Sequence, residues 1–372
     1  MTRTEALLAL NLIPQIGPLR ARRLIAACGS PEQVLAASAA DLAGLEGVSP
    51  ALAQAVAGWQ AHTDLEGELA KIQERGLTLL TGDDPLYPPL LRGIHDAPLL
   101  LYVWGRLESR DHRAIGVVGS RRATLYGLNA AKRLSYQIAY AGYTVISGLA
   151  RGIDTAAHEA ALAAQGRTIA VIGSGLGRLY PPENQALAER IAANGAVLSE
   201  YAVERIADKQ TFPYRNRVVA GWCSGLLVAE APERSGALIT AQQAVEQGRT
   251  VYAVPGPIDK PGSAGCNRLI QQGAKLVMDG ADILEDLGSL LPDPTPRATT
   301  PVASTAPATL SLDEQILLAA FSGTEVHIDS LIRDSGLTAA TVNVCLMRLE
   351  MKRLVRPLPG RYYTRYDTAS GA

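Results

Sequence analysis

The residues best able to do chemistry lie in glycine-rich turns that follow short apolar runs. They are V-V-G-S-R-R at 117–122, S-G-L-A-R-G-I-D at 147–154 and I-G-S-G-L-G-R-L-Y at 172–180. Glycine after a strand lets the backbone approach a phosphate. The next helix adds its N-terminal N–H groups and the positive end of its dipole. Arg121 and Arg151 each sit beside glycine at such a strand end, so both project to one rim of a sheet, where a guanidinium suits a phosphate oxygen. The alternative for Arg151 is an ion pair with Asp154. A fourth cluster, K-Q-T-F-P-Y-R-N-R at 209–217, interleaves Lys209, Arg215 and Arg217 with Phe212 and Tyr214. Cations for phosphates and an aromatic face for bases are the two needs of single-strand binding. The whole chain has two Phe, so one inside a basic run stands out. The alternative is that Phe212 packs beneath its loop and Arg217 caps a sheet edge.

Other chemistries fit less well. The third turn spells G-x-G-x-G rather than G-x-G-x-x-G, and it follows the third strand rather than the first. Glu200 is the one candidate for a ribose-binding acid of a dinucleotide site. There is no G-x-x-x-x-G-K-[ST] and no nucleophile elbow. Asp154, His158 and Glu159 in D-T-A-A-H-E could form an acid/base set, but the same spacing reads as a helix start with Asp154 as N-cap. Ser235 and Gly236 in E-R-S-G-A-L-I-T-A-Q-Q-A precede a helix and make another anion-friendly end. The four cysteines (Cys28, Cys223, Cys266, Cys345) form no C-x-x-C pair, so neither a zinc cluster nor a disulfide framework is indicated.

The elements that must position these residues follow from patterning. The runs AIGVVGS, YTVISGLA, RTIAVIGSG, GAVLSEY, SGLLVAEA and RTVYAVPG alternate with helical patterns, and KLVMD closes the series. Such alternation implies a mostly parallel sheet covered on both faces, with ligands at the carboxyl ends of its strands. Before it, residues 1–65 read as short helices in which Gly17-Pro18 and Gly47 to Pro50 repeat one plan, a helix-hairpin-helix pattern. Its hairpin amides could take a phosphate, or the unit could be a helical packing module. Residues 66–287 form the core, and 288–310, rich in Pro, Thr, Ala and Ser, a linker. Residues 311–372 read as three helices and a hairpin, a winged helix, with Arg348, Lys352, Arg353, Arg356, Arg361 and Arg365 late in it.

Composition bounds the answer. The 372 residues are 47% apolar and 19% charged, an ordinary globular balance. The net charge of -1 argues against a histone-like binder, so any DNA site must be a local basic patch. The N-terminus lacks a signal-peptide pattern, and no run of about 18 apolar residues occurs. A cytoplasmic protein is expected.

Together these segments resemble the DNA-processing protein DprA (Smf) family. The matching stretches are VVGSRRATLYG, SGLARGIDTAAHEAAL, AVIGSGLGRLYPPEN, GAVLSEY, FPYRNRVVAG, APERSGALITAQQAVEQGR and VPGPIDKPGSAGCNRLIQQGA, in register over about 116–276. The resemblance implies an extended Rossmann-like core with an N-terminal helical (helix-hairpin-helix or SAM-like) domain and a C-terminal winged helix. It implies a non-enzymatic homodimer without a cofactor that binds single-stranded DNA, protects incoming DNA and loads RecA onto it in natural transformation and recombination. It leaves duplex binding open. Carried onto this sequence, it places Gly119, Ser120, Arg121, Lys209 and Phe212 in the DNA pocket. Arg215, Asn216 and Arg217 are further candidates, beside Arg151 from its position. Dimerisation would use helix 236–247 and the region near 265–275. The core is more distantly similar to lysine-decarboxylase-like phosphoribohydrolases. Their P-G-G-x-G-T-x-x-E faces E-R-S-G-A-L-I-T-A here, which lacks the glutamate. That leaves a nucleotide-binding or nucleotide-cleaving enzyme as the alternative.

Overall fold

The computed structural model describes residues 1–288, 311–321, 326–338, 341–342, 345–346, 349, 354–358 and 362–365. The chain forms two compact units, 1–292 and 293–372. The linker read at 288–310 lies, but for residue 288, outside the described residues.

The first 74 residues are helical because helix-starting residues recur in them. Thr2, Ser30, Ser38, Ser49 and Asp64 cap α1 (Arg3–Leu12), α3 (Pro31–Ala36), α4 (Ala39–Ala43), α5 (Pro50–Ala57) and α6 (Leu65–Glu74) with their side-chain oxygens. The remaining one, α2 (Pro18–Cys28), starts at Gly17 without a side-chain cap. Of the basic residues flanking the first hairpin, Arg20 donates to Gln15 O, and Arg22 to His95 O and Ala97 O. These helices share a core with the sheet that follows, with Leu8, Leu24, Val34 and Val56 in one buried cluster with Leu100, Tyr102 and Val197.

That sheet has nine strands, in the order β1-β2-β6-β5-β4-β3-β7-β8-β9. They are β1 (Thr78–Thr81), β2 (Leu100–Gly105), β3 (Ala114–Val118), β4 (Thr144–Ser147), β5 (Thr168–Val171), β6 (Ala196–Ser199), β7 (Gly225–Val228), β8 (Thr250–Ala253) and β9 (Lys275–Leu276). From β6 to β9 all pairs are parallel, and strands β3 to β7 are buried along their whole length, as expected with both faces covered. The first two strands run antiparallel at one edge.

Alternate residues of each strand point to opposite faces. Ile115 and Val117 pack with α8 (Leu125–Tyr140) and α9 (Ile153–Ala163), and Val118 with α11 (Thr211–Trp222) and α12 (Gly236–Glu246). The first face also carries α10 (Gln185–Asn194) and α14 (Gly280–Gly288), the second α7 (Pro89–Arg92) and α13 (Ala264–Gln271). Trp222, fully buried, donates from Nε1 to Asp111 O at 2.8 Å and so joins α11 to the segment before β3. No helix among the described residues is long and apolar enough to cross a membrane.

In the second unit, Ser311 and Glu314 form a capping box that starts α15 (Leu312–Ala319), and His327 caps α16 (Ile328–Ser335). Residues 341–342, 345–346 and 349 are helical, and β11 (Val355–Leu358) pairs antiparallel with β12 (Tyr362–Arg365). The short strand β10 (Val326–His327), which the sequence pattern did not suggest, adds to β12. Leu317, Leu331, Val342, Leu346 and Val355 form the core of this unit. Of the basic run, Arg348, Lys352, Arg353 and Arg361 lie outside the described residues, as does the side chain of Arg356.

Candidate nucleic-acid interface

From β3 the chain steps outward through β4, β5 and β6, then crosses to β7 on the other side of β3. The sheet therefore has a switch point between β3 and β7, and the loops beyond their carboxyl ends diverge and leave a crevice. A cleft of about 730 Å³ opens there. Gly119, Ser120, Arg121, Lys209, Phe212, Arg215 and Asn216 all line it. So do Arg122 and Arg234, which sequence reasoning did not single out. Five cationic side chains thus face two carboxylates, Asp154 and Glu230, and the local charge is positive in a chain whose net charge is -1.

Backbone ties fix the floor. Ser120 N donates to Glu230 O at 2.7 Å and Ile153 N to Ser120 O at 3.2 Å. A Cβ on Gly119 would lie 2.5 Å from Ile153 Cγ1 and 2.8 Å from Glu230 O, so close packing of three loops requires glycine there. Arg121, Arg122, Lys209 and Arg234 are exposed and, among the described residues, in no ion pair. The Arg121 guanidinium lies over the Phe212 ring, 4.8 Å from its centroid.

The start of α8, beside the cleft, is not open. Glu230 accepts from Thr124 N at 2.9 Å and from the Thr124 hydroxyl, at the start of α8. Asp154 is not the N-cap of α9, which is Gly152. Instead it accepts from Gly148 N at 3.1 Å and Ala150 N at 3.3 Å, bracing the turn after β4. Burial pushes its carboxyl above the usual range, against the pull of Arg215. The third turn is closed as well. Gly175 N and Gly177 N donate to Arg205 O and Val203 O, each at 2.8 Å, and a Cβ on Gly175 would lie 2.0 Å from Ala202 O. Its glycines let it pack against 202–205, and those two amides do not face a dinucleotide.

Arg215 lines the cleft from its floor. It is 5% exposed and donates to Gly148 O at 2.5 Å and to Val171 O. Burial lowers its pKa to about 10, opposed by Asp154 and assisted by the nearby charge of Arg121. Asn216 accepts from Arg215 Nε at 3.1 Å. Arg151 pairs with Glu183 rather than Asp154 and lines a notch beside the cleft, together with Arg121, Tyr180 and Phe212.

Arg217 lies elsewhere. Two residues along a helix turn the side chain by about 200°, so Arg217 leaves α11 on the side opposite Arg215. It is 4% exposed, bonds both oxygens of Glu200 at 2.6 and 2.7 Å, and lies 3.2 Å from Asp96. Glu200 is thereby committed to an ion pair, not poised for a ribose. The imagined acid/base set does not assemble either. His158 is fully buried with Nδ1 2.7 Å from the Thr168 hydroxyl, while Glu159 is 3.8 Å from Lys132. Thr168 donates to Val145 O, so it accepts from a neutral His158, whose pKa burial lowers to about 3.

A cleft of this form, positive, aromatic and without a free carboxylate, fits an extended polyanion better than a reacting small molecule. Comparison with known proteins agrees. Residues 78–288 match the family model of DNA recombination-mediator protein A, 301–361 that of the DprA winged helix domain, and 7–57 that of a SAM-like helix-hairpin-helix tandem. Protein Smf of Synechocystis is 34% identical over 96% of this chain and 98% of its own length. The DNA processing protein DprA of Streptococcus pneumoniae is 46% identical over 55% of this chain and 72% of its own. A crystal structure of DprA from that species covers 77% of this chain and 98% of its own, with a TM-score of 0.67 and 37% identity. A DNA processing protein A from Helicobacter pylori, described for its single-stranded DNA binding mode, covers 57% and 95%, with a TM-score of 0.52 and 27% identity. The chain belongs to the DNA recombination-mediator protein A family, DprA/Smf, whose members act in DNA processing and recombination.

Proposed function

We propose that this chain binds single-stranded DNA in the cleft between β3 and β7 and delivers it to a RecA recombinase. It would do so in the cytoplasm, protecting incoming DNA in natural transformation and serving recombination. The observation that carries the reading is the set of cations without carboxylate partners among the described residues, Arg121, Arg122, Lys209 and Arg234, around Phe212. Phosphates would take the cations and a base the ring. Gly119 and Ser120 bring the backbone close, Asn216 faces the strand, and Arg215 acts through its charge from below. Arg151 joins once its pair with Glu183 opens, and Arg217 serves the fold. The Helicobacter pylori relative's described binding of single strands supports the same assignment.

The reading is of a binding protein without a cofactor. Both cleft carboxylates are engaged by the protein's own amides and hydroxyls, which supports this. The delivery step rests on family membership. A homodimer through the later part of the core is supported by exposed apolar side chains on α12 (Ile239, Val245) and beyond α13 (Leu276, Met278).

Fluorescence anisotropy with an unstructured oligonucleotide tests the site. Salt-sensitive binding that Arg121→Ala and Lys209→Ala each weaken is expected. Binding unaffected by either would move the site to the helical N-terminus or the winged helix. Release of free base from a nucleoside monophosphate would instead favour the enzyme alternative.

A further inference from the structure

The cleft continues on one side into the notch between the turn after β4 and the 178–184 loop. Tyr180 is its exposed aromatic, 42% accessible, and its ring centroid lies 5.8 Å from that of Phe212 at an interplanar angle of 54°. Phe212 is only half-exposed, and the Arg121 guanidinium already covers it. The aromatic surface that a base can reach without displacing anything is therefore Tyr180's. The loop presenting it is anchored. Asn184 Nδ2 donates to Leu149 O and to the Thr155 hydroxyl, both at 2.9 Å. The Arg151 guanidinium, 58% exposed and paired with Glu183, lines the same notch. The Tyr180 hydroxyl makes no hydrogen bond among the described residues, so its ring is not held for the hydroxyl's sake.

We propose that Tyr180 is a second base-stacking residue, which takes the base next to the one at Phe212. The inference rests on the single-strand reading of the cleft and adds a direction to it: the strand leaves across the 178–184 loop. The ring spacing fits. At 5.8 Å it exceeds the about 3.4 Å rise per nucleotide of a stacked strand, so consecutive bases reach both rings only when the strand is pulled apart. Stacked duplex would not present them this way.

The test is a set of thymidine oligonucleotides in which one abasic site is walked along the strand, titrated against wild type, Tyr180→Ala and Tyr180→Phe. Tyr180→Ala is expected to weaken binding about five- to hundredfold, and Tyr180→Phe to bind as wild type. One abasic position should weaken wild type by a similar factor and leave Tyr180→Ala unaffected, which a merely structural role for the ring would not produce. An abasic penalty at every position equal in the two proteins overturns the proposal. Should Tyr180→Ala fold poorly, Tyr180→Trp reports directly. Its added fluorescence is quenched when a base stacks on it, and an unquenched signal at saturating DNA overturns the proposal. Wild type that binds no single strand at all sinks the underlying reading instead.

Discussion

The guanidinium of Arg121 and the ring of Phe212 are partners, 4.8 Å apart, although they lie far apart along the chain. On the proposed single-strand reading, a base laid on Phe212 would take the place of that guanidinium and release it toward a phosphate. The two residues should thus fail differently. Arg121→Ala, like Lys209→Ala, should flatten the dependence of log affinity on log salt by about 0.7, the share of one neutralised phosphate. Phe212→Ala should weaken binding by about 1–3 kcal/mol with the salt slope unchanged. Titrations at several potassium chloride concentrations separate them, and equal slope changes for all three variants would contradict this division of labour.

Arg151 is held by Glu183 at the mouth of the notch, and both are exposed. The carboxylate both occupies the guanidinium and repels a nearby strand. Glu183→Gln should raise single-strand affinity, by about fivefold at most at low salt, the scale of an exposed ion pair. The gain should vanish in the Arg151→Ala background, and its persistence there would show that Glu183 acts by another route.

Arg217 should behave as a fold residue. Arg217→Met leaves Glu200 buried without its partner, a loss of about 3–5 kcal/mol for a broken buried pair. Thermal melting should show it, while affinity per folded molecule stays at the wild-type value. A DNA-binding defect without a stability defect would return Arg217 to the interface.

His158 sets a pH dependence. Its folded pKa, near 3, lies below the ordinary value of 6.5 because burial, helped by the charge of Arg215, disfavours the imidazolium. A depressed pKa gives stability that is complete above 6.5 and is lost as the unfolded chain takes up a proton below it. At pH 5 the loss is about 2 kcal/mol. Denaturant melts from about pH 7.5 to 5 should show this decline in wild type and a shallower one in His158→Gln. Parallel curves would place the acid sensitivity in other groups.

A chain ending at residue 292 keeps the whole first unit, with every residue that lines the cleft. It should bind an unstructured oligonucleotide within about threefold of the full chain, the scale of a single phosphate over modest salt changes. Collapse of binding would give the winged helix the larger share.

Much of this fold was legible because its strands are short β-branched runs bounded by glycine, from AIGVV through TVYA. The antiparallel pairing of β2 with β6 was not, since nothing local in either strand names its neighbour. Within the site, Arg121, Lys209 and Phe212 stood out because type and position coincide. K-Q-T-F-P-Y-R-N-R also read as one patch, yet α11 winds it. Arg215 is turned into the floor, and Arg217 goes to the far side. Arg122 adjoins Arg121 and Arg234 precedes α12 at the switch point, so weighing the strand order would have found both. The bond from Thr124 to Glu230, 106 residues apart in sequence, had no local signal.

The carboxylates seated on amides at the start of α8 and in the turn after β4 shape how a strand in this cleft would be let go. Rigid dipoles hold an anion firmly and in one place, whereas arginine and lysine reach it on jointed stems of about three or four methylenes. A strand gripped that way comes free one phosphate at a time, without any rebuilding of the main chain. A second protein advancing along the DNA could then peel it off in small steps, none of them steep.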